Sequence, residues 1–134
     1  MGKITTIEGI GESYAGKLEG FGIATTEALL EKGATTGGRK EIAEKTGISN
    51  KLILRWVNMS DLFRIKGVGE EYADLLEAAG VDTVPELAQR NAVNLQEKMA
   101  KLNDEKSLTK TVPSQATVEG WIAQAKELDR VVTY

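Results

Sequence analysis

The sequence predicts an all-α protein, duplicated along the chain, with about five short helices per repeat packed into one compact protein. Three observations carry that expectation. Apolar residues recur three and four apart, as in Tyr14, Leu18 and Phe21 and again in Tyr72, Leu75, Leu76 and Ala79, which is the period of an amphipathic helix. Apolar–polar alternation over strand-length stretches is absent. Finally, a long segment recurs: IEGIGESYAGKLEGFGIATTEALL (7–30) and IKGVGEEYADLLEAAGVDTVPELA (65–88) align without a gap at an offset of 58 and share 11 of 24 positions. A shorter match, Ile53-Leu-Arg-Trp-Val57 against Val118-Glu-Gly-Trp-Ile122, follows at an offset of 65. The expected units are therefore 1–63 and 64–134.

The elements follow from local chemistry. Gly22 and Gly80 end the first helix of each repeat, since glycine accepts the positive φ that closes a helix. Thr25 and Thr83 are then the N-caps of the next helices. Thr83 with Glu86 has the spacing of a capping box, and Pro85 suits a first turn. Residues 38–45 form a short helix stopped by Gly47. Ser49 caps a helix running to Asn58. Residues 93–102 and 114–128 are further helices, the last capped by Ser114. Trp56 and Trp121 occupy matching places and are expected to anchor the core of each repeat.

Composition bounds the chemistry. The 134 residues contain no Cys and no His, which excludes a disulfide, a thiolate nucleophile, an imidazole base and the usual zinc ligands. No carboxylate pair stands out for acid–base work, so no enzyme activity, cofactor or metal is expected. No apolar run is long enough for a membrane span and the first residues lack the apolar core of a signal peptide, so a cytoplasmic protein with no membrane partner is expected. The net charge is −3, from 17 Lys+Arg and 20 Asp+Glu, but it is unevenly spread. Residues 1–63 hold 8 basic and 8 acidic side chains, whereas residues 64–134 hold 9 and 12. Residues 37–57 carry 5 basic and 2 acidic side chains, the most cationic stretch of the chain.

Each repeat opens on the same turn: Ile7-Glu-Gly9-Ile10-Gly11 and Ile65-Lys-Gly67-Val68-Gly69. Paired glycines permit a tight turn, and a buried Ile10 or Val68 would pin it to the core. The helix that follows would start with unsatisfied N–H groups, which attract anions. This pattern resembles the helix-hairpin-helix family over residues 7–30 and 65–88. The whole chain is also similar to a bacterial family of paired helix-hairpin-helix units known as a domain of unknown function. The resemblance implies duplicated helix-hairpin-helix units whose hairpin amides, at Gly9, Ile10, Gly11 and Glu12 and at Gly67, Val68, Gly69 and Glu70, grip DNA phosphates without reading bases. Some members of the wider family also hold a monovalent cation through hairpin carbonyls. Lys66 adds a cation to the second hairpin. Where DNA-binding members often carry Lys or Arg after the second glycine, this chain has Glu12-Ser13 and Glu70-Glu71, and a carboxylate there competes with phosphate for the same N–H groups.

A second candidate is the stretch Arg39–Val57, which resembles a helix-turn-helix unit through Ala43, Gly47 and Ser49. In that arrangement Arg39 and Lys40 meet phosphates, while Asn50, Lys51 and Arg55 face a groove. The resulting expectation is a non-enzymatic binding module, with weak, sequence-nonspecific binding to double-stranded DNA through the hairpin amides and this local basic face. The alternative partner is another protein, with the chain serving as an interaction or scaffold domain.

Overall fold

A computed structural model describes residues 2–7 and 9–134. Among them lie a 3-10 turn at Ile4–Thr6 and eight α-helices: α1 Glu12–Gly20, α2 Thr26–Lys32, α3 Thr36–Thr46, α4 Asn50–Leu62, α5 Glu70–Ala78, α6 Val84–Ala88, α7 Ala92–Lys106 and α8 Gln115–Glu127. The described residues include no strand, only an isolated bridge between Lys3 and Thr25. The all-α expectation holds, with eight α-helices in place of about ten. None of them is long and apolar enough to cross a membrane.

The chain divides into two units, residues 1–61 together with 131–134, and residues 62–130. In the first, α1 and α2 both pack on α3. Its core gathers Ile4, Ile7, Leu18, Ile23, Leu29, Ile42, Ile53 and Trp56, each at most 1% exposed. In the second, α8 packs on α6 and α7, and α7 on α5. Ile65, Leu75, Leu76, Val81, Leu87, Leu95, Met99 and Val118 form its core, with the same degree of burial. Each such aliphatic side chain withdrawn from water contributes about 1.5–3 kcal/mol.

Helix boundaries follow the caps more closely than the apolar period. Thr25, Thr35, Asn91 and Ser114 each accept a backbone N–H through their side chains, from Ala28, Gly38, Asn94 and Thr117 respectively. Thr35 thus starts α3 two residues before the expected Gly38, and Asn91 starts α7 one residue early. Ser49 accepts the Leu52 N–H at 3.2 Å, as expected of a cap. The α4 helix continues past Asn58 to Leu62 because Met59 and Leu62 extend its buried stripe. Thr83 takes the N-cap position, but its hydroxyl donates to the Glu86 carboxylate at 3.3 Å and makes no capping bond to the backbone. Gly47 ends α3 at φ 74°, and Gly22 and Gly80 follow α1 and α5 at φ 83° and 90°.

Several hydrogen bonds recur at the offset of 58. The Ile10 and Val68 N–H groups donate to Ile7 and Ile65 carbonyls, both at 3.1 Å, inside the glycine turns. Ile23 and Val81 donate back to Leu18 and Leu76, both at 2.9 Å, closing α1 and α5. Lys32 and Arg90, also 58 apart, reach the same neighbourhood: Lys32 Nζ donates to the Phe21 carbonyl and Arg90 to the Gly80 carbonyl, each at 3.0 Å. A cation there complements the carbonyl end of the preceding helix.

Candidate nucleic-acid interface

The two glycine turns are built alike. Gly9 and Gly67 have φ of 96° and 95°, a region that a side chain makes costly. Below each turn sits an indole. A β-carbon on Gly9 would lie 3.6 Å from Trp56 Nε1, and one on Gly67 would lie 3.2 Å from Trp121 Nε1. Tyr14 packs against Trp56 and Tyr72 against Trp121, with ring centroids 5.2 Å apart in both. Both tryptophans are buried, as their matched positions suggest. The turns are thus seated on a Gly–Trp–Tyr stack in each unit.

Ile10 and Val68 are buried at 4% and 6% exposure, and their N–H groups are spent within the turns. They anchor the hairpins and do not present donors outward. Gly11 and Gly69 are the N-caps of α1 and α5 and supply no side-chain cap. The opening N–H groups of these two nine-residue helices therefore have no acceptor from their own helix or from a cap side chain. Glu12, Glu70 and Glu71 stand in the first turns with exposed side chains, where a carboxylate favours the positive end of the helix. Glu8 falls outside the described residues.

The predicted basic face does not form as a set. Arg39 is only 4% exposed. Its guanidinium donates to the Gly33, Ala34 and Thr133 carbonyls at 2.8, 3.1 and 2.7 Å, and to Thr36 Oγ1 at 3.3 Å. Burial lowers its pKa, with Tyr134 acting in the opposite sense. Arg39 is an internal tie, not a phosphate contact: its position puts it on the side of α3 facing the Gly33–Ala34 loop. Lys40 and Lys51 remain exposed. Arg55 is half-buried and turned toward the first hairpin, where a β-carbon on Gly9 would lie 3.5 Å from its Nη1. The structure therefore joins Arg55 to Gly9, two residues that the sequence placed in different candidate sites.

The second hairpin is charged differently. Position 120, which matches Arg55 at the offset of 65, is an exposed glycine with open space around it. The cation here is Lys66, exposed on the turn itself; the sequence position 58 residues earlier is Glu8. The Lys66 backbone is clamped by Gln124, whose Oε1 accepts the Lys66 N–H at 2.8 Å and whose Nε2 donates to the Lys66 carbonyl at 3.2 Å. Sequence reading missed Gln124, and its matching position is Met59, which has no amide. Among the described residues, no group of three or more acidic side chains is placed to hold a metal ion.

An all-helical protein whose two glycine turns rest on buried tryptophans is the class that fold and site define. The chain belongs to the family described as domain of unknown function DUF4332, which matches residues 8–128. No curated protein and no solved structure matches it.

Proposed function

We propose that the protein is a non-enzymatic binding module, made of two helix-hairpin-helix units that arose by duplication, which holds double-stranded DNA weakly and without sequence preference. The observation that carries this reading is the Arg55 guanidinium beside the Gly9 turn. It sets a cation next to a helix start that no side chain caps, and an anion is attracted to both. Lys66 supplies the cation at the second turn, and the exposed Lys40 and Lys51 add diffuse attraction. Contacts of this kind go to phosphate oxygens and carry no base information. Only a few cations take part, so affinity belongs at the weak end of nonspecific binding, roughly 10⁻⁴ M at physiological salt.

A second reading rests on Glu12, Glu70 and Glu71, which stand exposed at the same helix starts. They favour a cationic protein surface as the partner, with the chain acting as an interaction or scaffold domain.

Titration of a duplex across salt concentrations separates the two. Wild type binds at low salt, and each of Arg55→Ala and Lys66→Ala lowers the slope of log K against log salt by about 1. Absence of binding at low salt and high micromolar protein removes the DNA reading and favours the protein partner.

A further inference from the structure

Arg39 points to a function of its own. Segment 131–134 follows residues 62–130 in the chain but belongs in space to the unit formed by residues 1–61. It lies there as a non-helical segment, in a place beside Arg39 that we term the slot. Val132 is buried at 2% exposure. The Thr133 N–H donates to the Ala34 carbonyl at 2.8 Å, and the Thr133 carbonyl accepts from Arg39 at 2.7 Å. The Tyr134 ring covers the Arg39 guanidinium at 5.6 Å, and its hydroxyl donates to Asn58 Oδ1 at 3.2 Å. Both backbone polar groups of Thr133 and the apolar side chain before it are thus engaged, and Tyr134, though 66% exposed, touches Arg39 and Asn58 of the same unit. These are the elements of extended-peptide recognition, in which main-chain bonds give affinity and alternate side chains give specificity.

These hydrogen bonds from the segment to the slot all come from Thr133 and Tyr134. Leu128, Asp129 and Arg130, which lead into it, are exposed and non-helical, and the Arg64 guanidinium donates to the Asp129 carbonyl at 3.0 Å, outside the slot. A segment from another molecule would make the same contacts. We propose that the Arg39 slot is a peptide-binding site whose occupant exchanges between copies, so that segment 131–134 of one chain fills the slot of a second. Exchange of an identical element is a low-cost route to a dimer, because the contacts are conserved and only the connection changes. The ligand class is an extended peptide of the pattern Val-Thr-Tyr.

The test uses the full chain with Thr133→Pro, which removes the N–H bonded to Ala34 and puts a ring carbon in its place, so the segment leaves the slot. A labelled peptide of sequence Asp-Arg-Val-Val-Thr-Tyr, titrated by fluorescence anisotropy, is expected to bind this variant saturably and wild type at least about tenfold more weakly, a gap of 1.4 kcal/mol. Mixed with Arg39→Ala, which keeps its segment but lacks the slot cation, Thr133→Pro is expected to give a heterodimer by light scattering, while each variant alone stays monomeric. Should Arg39→Ala fail to fold by circular dichroism, Arg39→Lys takes its place, since it keeps the charge without the fork of donors. Failure of folded Thr133→Pro to bind the peptide at millimolar concentration overturns the site. Peptide binding with no heterodimer at several hundred micromolar overturns the exchange.

Discussion

The two glycine turns share their packing and differ in their charge. Gly9 over Trp56 and Gly67 over Trp121 have φ values within a degree of each other, and the Tyr–Trp distance beneath them is the same. Above that common base the cation moves. In the first unit it is Arg55, on α4, reaching up beside the turn. In the second it is Lys66, on the turn, with Gly120 where the arginine would be. The lesson is that packing and charge answer to different constraints here. A buried indole tolerates few replacements, because its neighbours close around it. A half-exposed cation need only lie near the turn, so either side of the turn can supply it.

Removal of the shared base is the strongest way to break the comparison. Trp56→Ala and Trp121→Ala each empty the largest side chain under a turn, and each is expected to cost about 3–5 kcal/mol in chemical denaturation followed by circular dichroism. Nearly equal losses confirm that the two stacks do the same work. A loss below about 1 kcal/mol at either site would show that its indole does not support the turn.

A finer comparison comes from the glycines. Gly9→Ala and Gly67→Ala both force a side chain into positive φ, a strain of about 1–3 kcal/mol. The second is expected to be the costlier, since its new carbon meets Trp121 Nε1 at 3.2 Å, whereas Gly9 leaves 3.5 Å to Arg55 and 3.6 Å to Trp56. The Arg55 side chain is also long and able to yield, while the Trp121 ring is held in the core. Equal midpoints for the two variants in urea would refute the tighter seating of the second turn.

Much of this is legible in the sequence. The period of three and four gave helices, and Thr25, Gly47, Ser49 and Ser114 marked their ends, because capping chemistry is local. The positive φ at Gly9, Gly22, Gly67 and Gly80 followed from paired positions at one offset. What was not legible depended on residues far apart in the chain. Arg39 reads as a surface cation among Lys40, Lys45 and Lys51, and only the return of Thr133, 94 residues later, reveals it as buried. Arg55 reads as part of a recognition helix, yet its neighbour is the turn at Gly9. Gln124 and Lys66 meet across 58 residues, and polar glutamine in a helix gives no sign of such a clamp. The internal bonds of the Ile10 and Val68 N–H groups are hidden in the sequence for a simpler reason: a turn that presents glycines outward spends its middle donor on itself.

The smallest expected effect lies at Asp82, which sharpens the comparison because its counterpart at the offset of 58 is Ala24. Asp82 is half-buried just before α6. Burial raises its carboxyl pKa above the ordinary value, and the Glu86 and Glu77 charges push it the same way. A group whose pKa is raised on folding opposes the fold in its charged form. That opposition is absent below the ordinary carboxyl pKa of about 4 and is complete above the raised one. Asp82→Asn keeps the shape and deletes the charge. It is therefore expected to melt higher than wild type near neutral pH, with the gap narrowing as pH falls and vanishing below about 4. Ala24→Asp, placed at the matching point of the first unit, has a counterpart of Glu77 in Glu19 but none of Glu86, since position 28 is Ala, and its site is exposed where Asp82 is half-buried. The penalty there should be smaller, so that thermal melts of the two variants across pH read out how much burial and the Glu86 charge together contribute to the Asp82 effect. A constant gap between Asp82→Asn and wild type from pH 3 to 7 would mean that the carboxylate is not disfavoured by the fold, and that the second unit carries its extra acid at no cost.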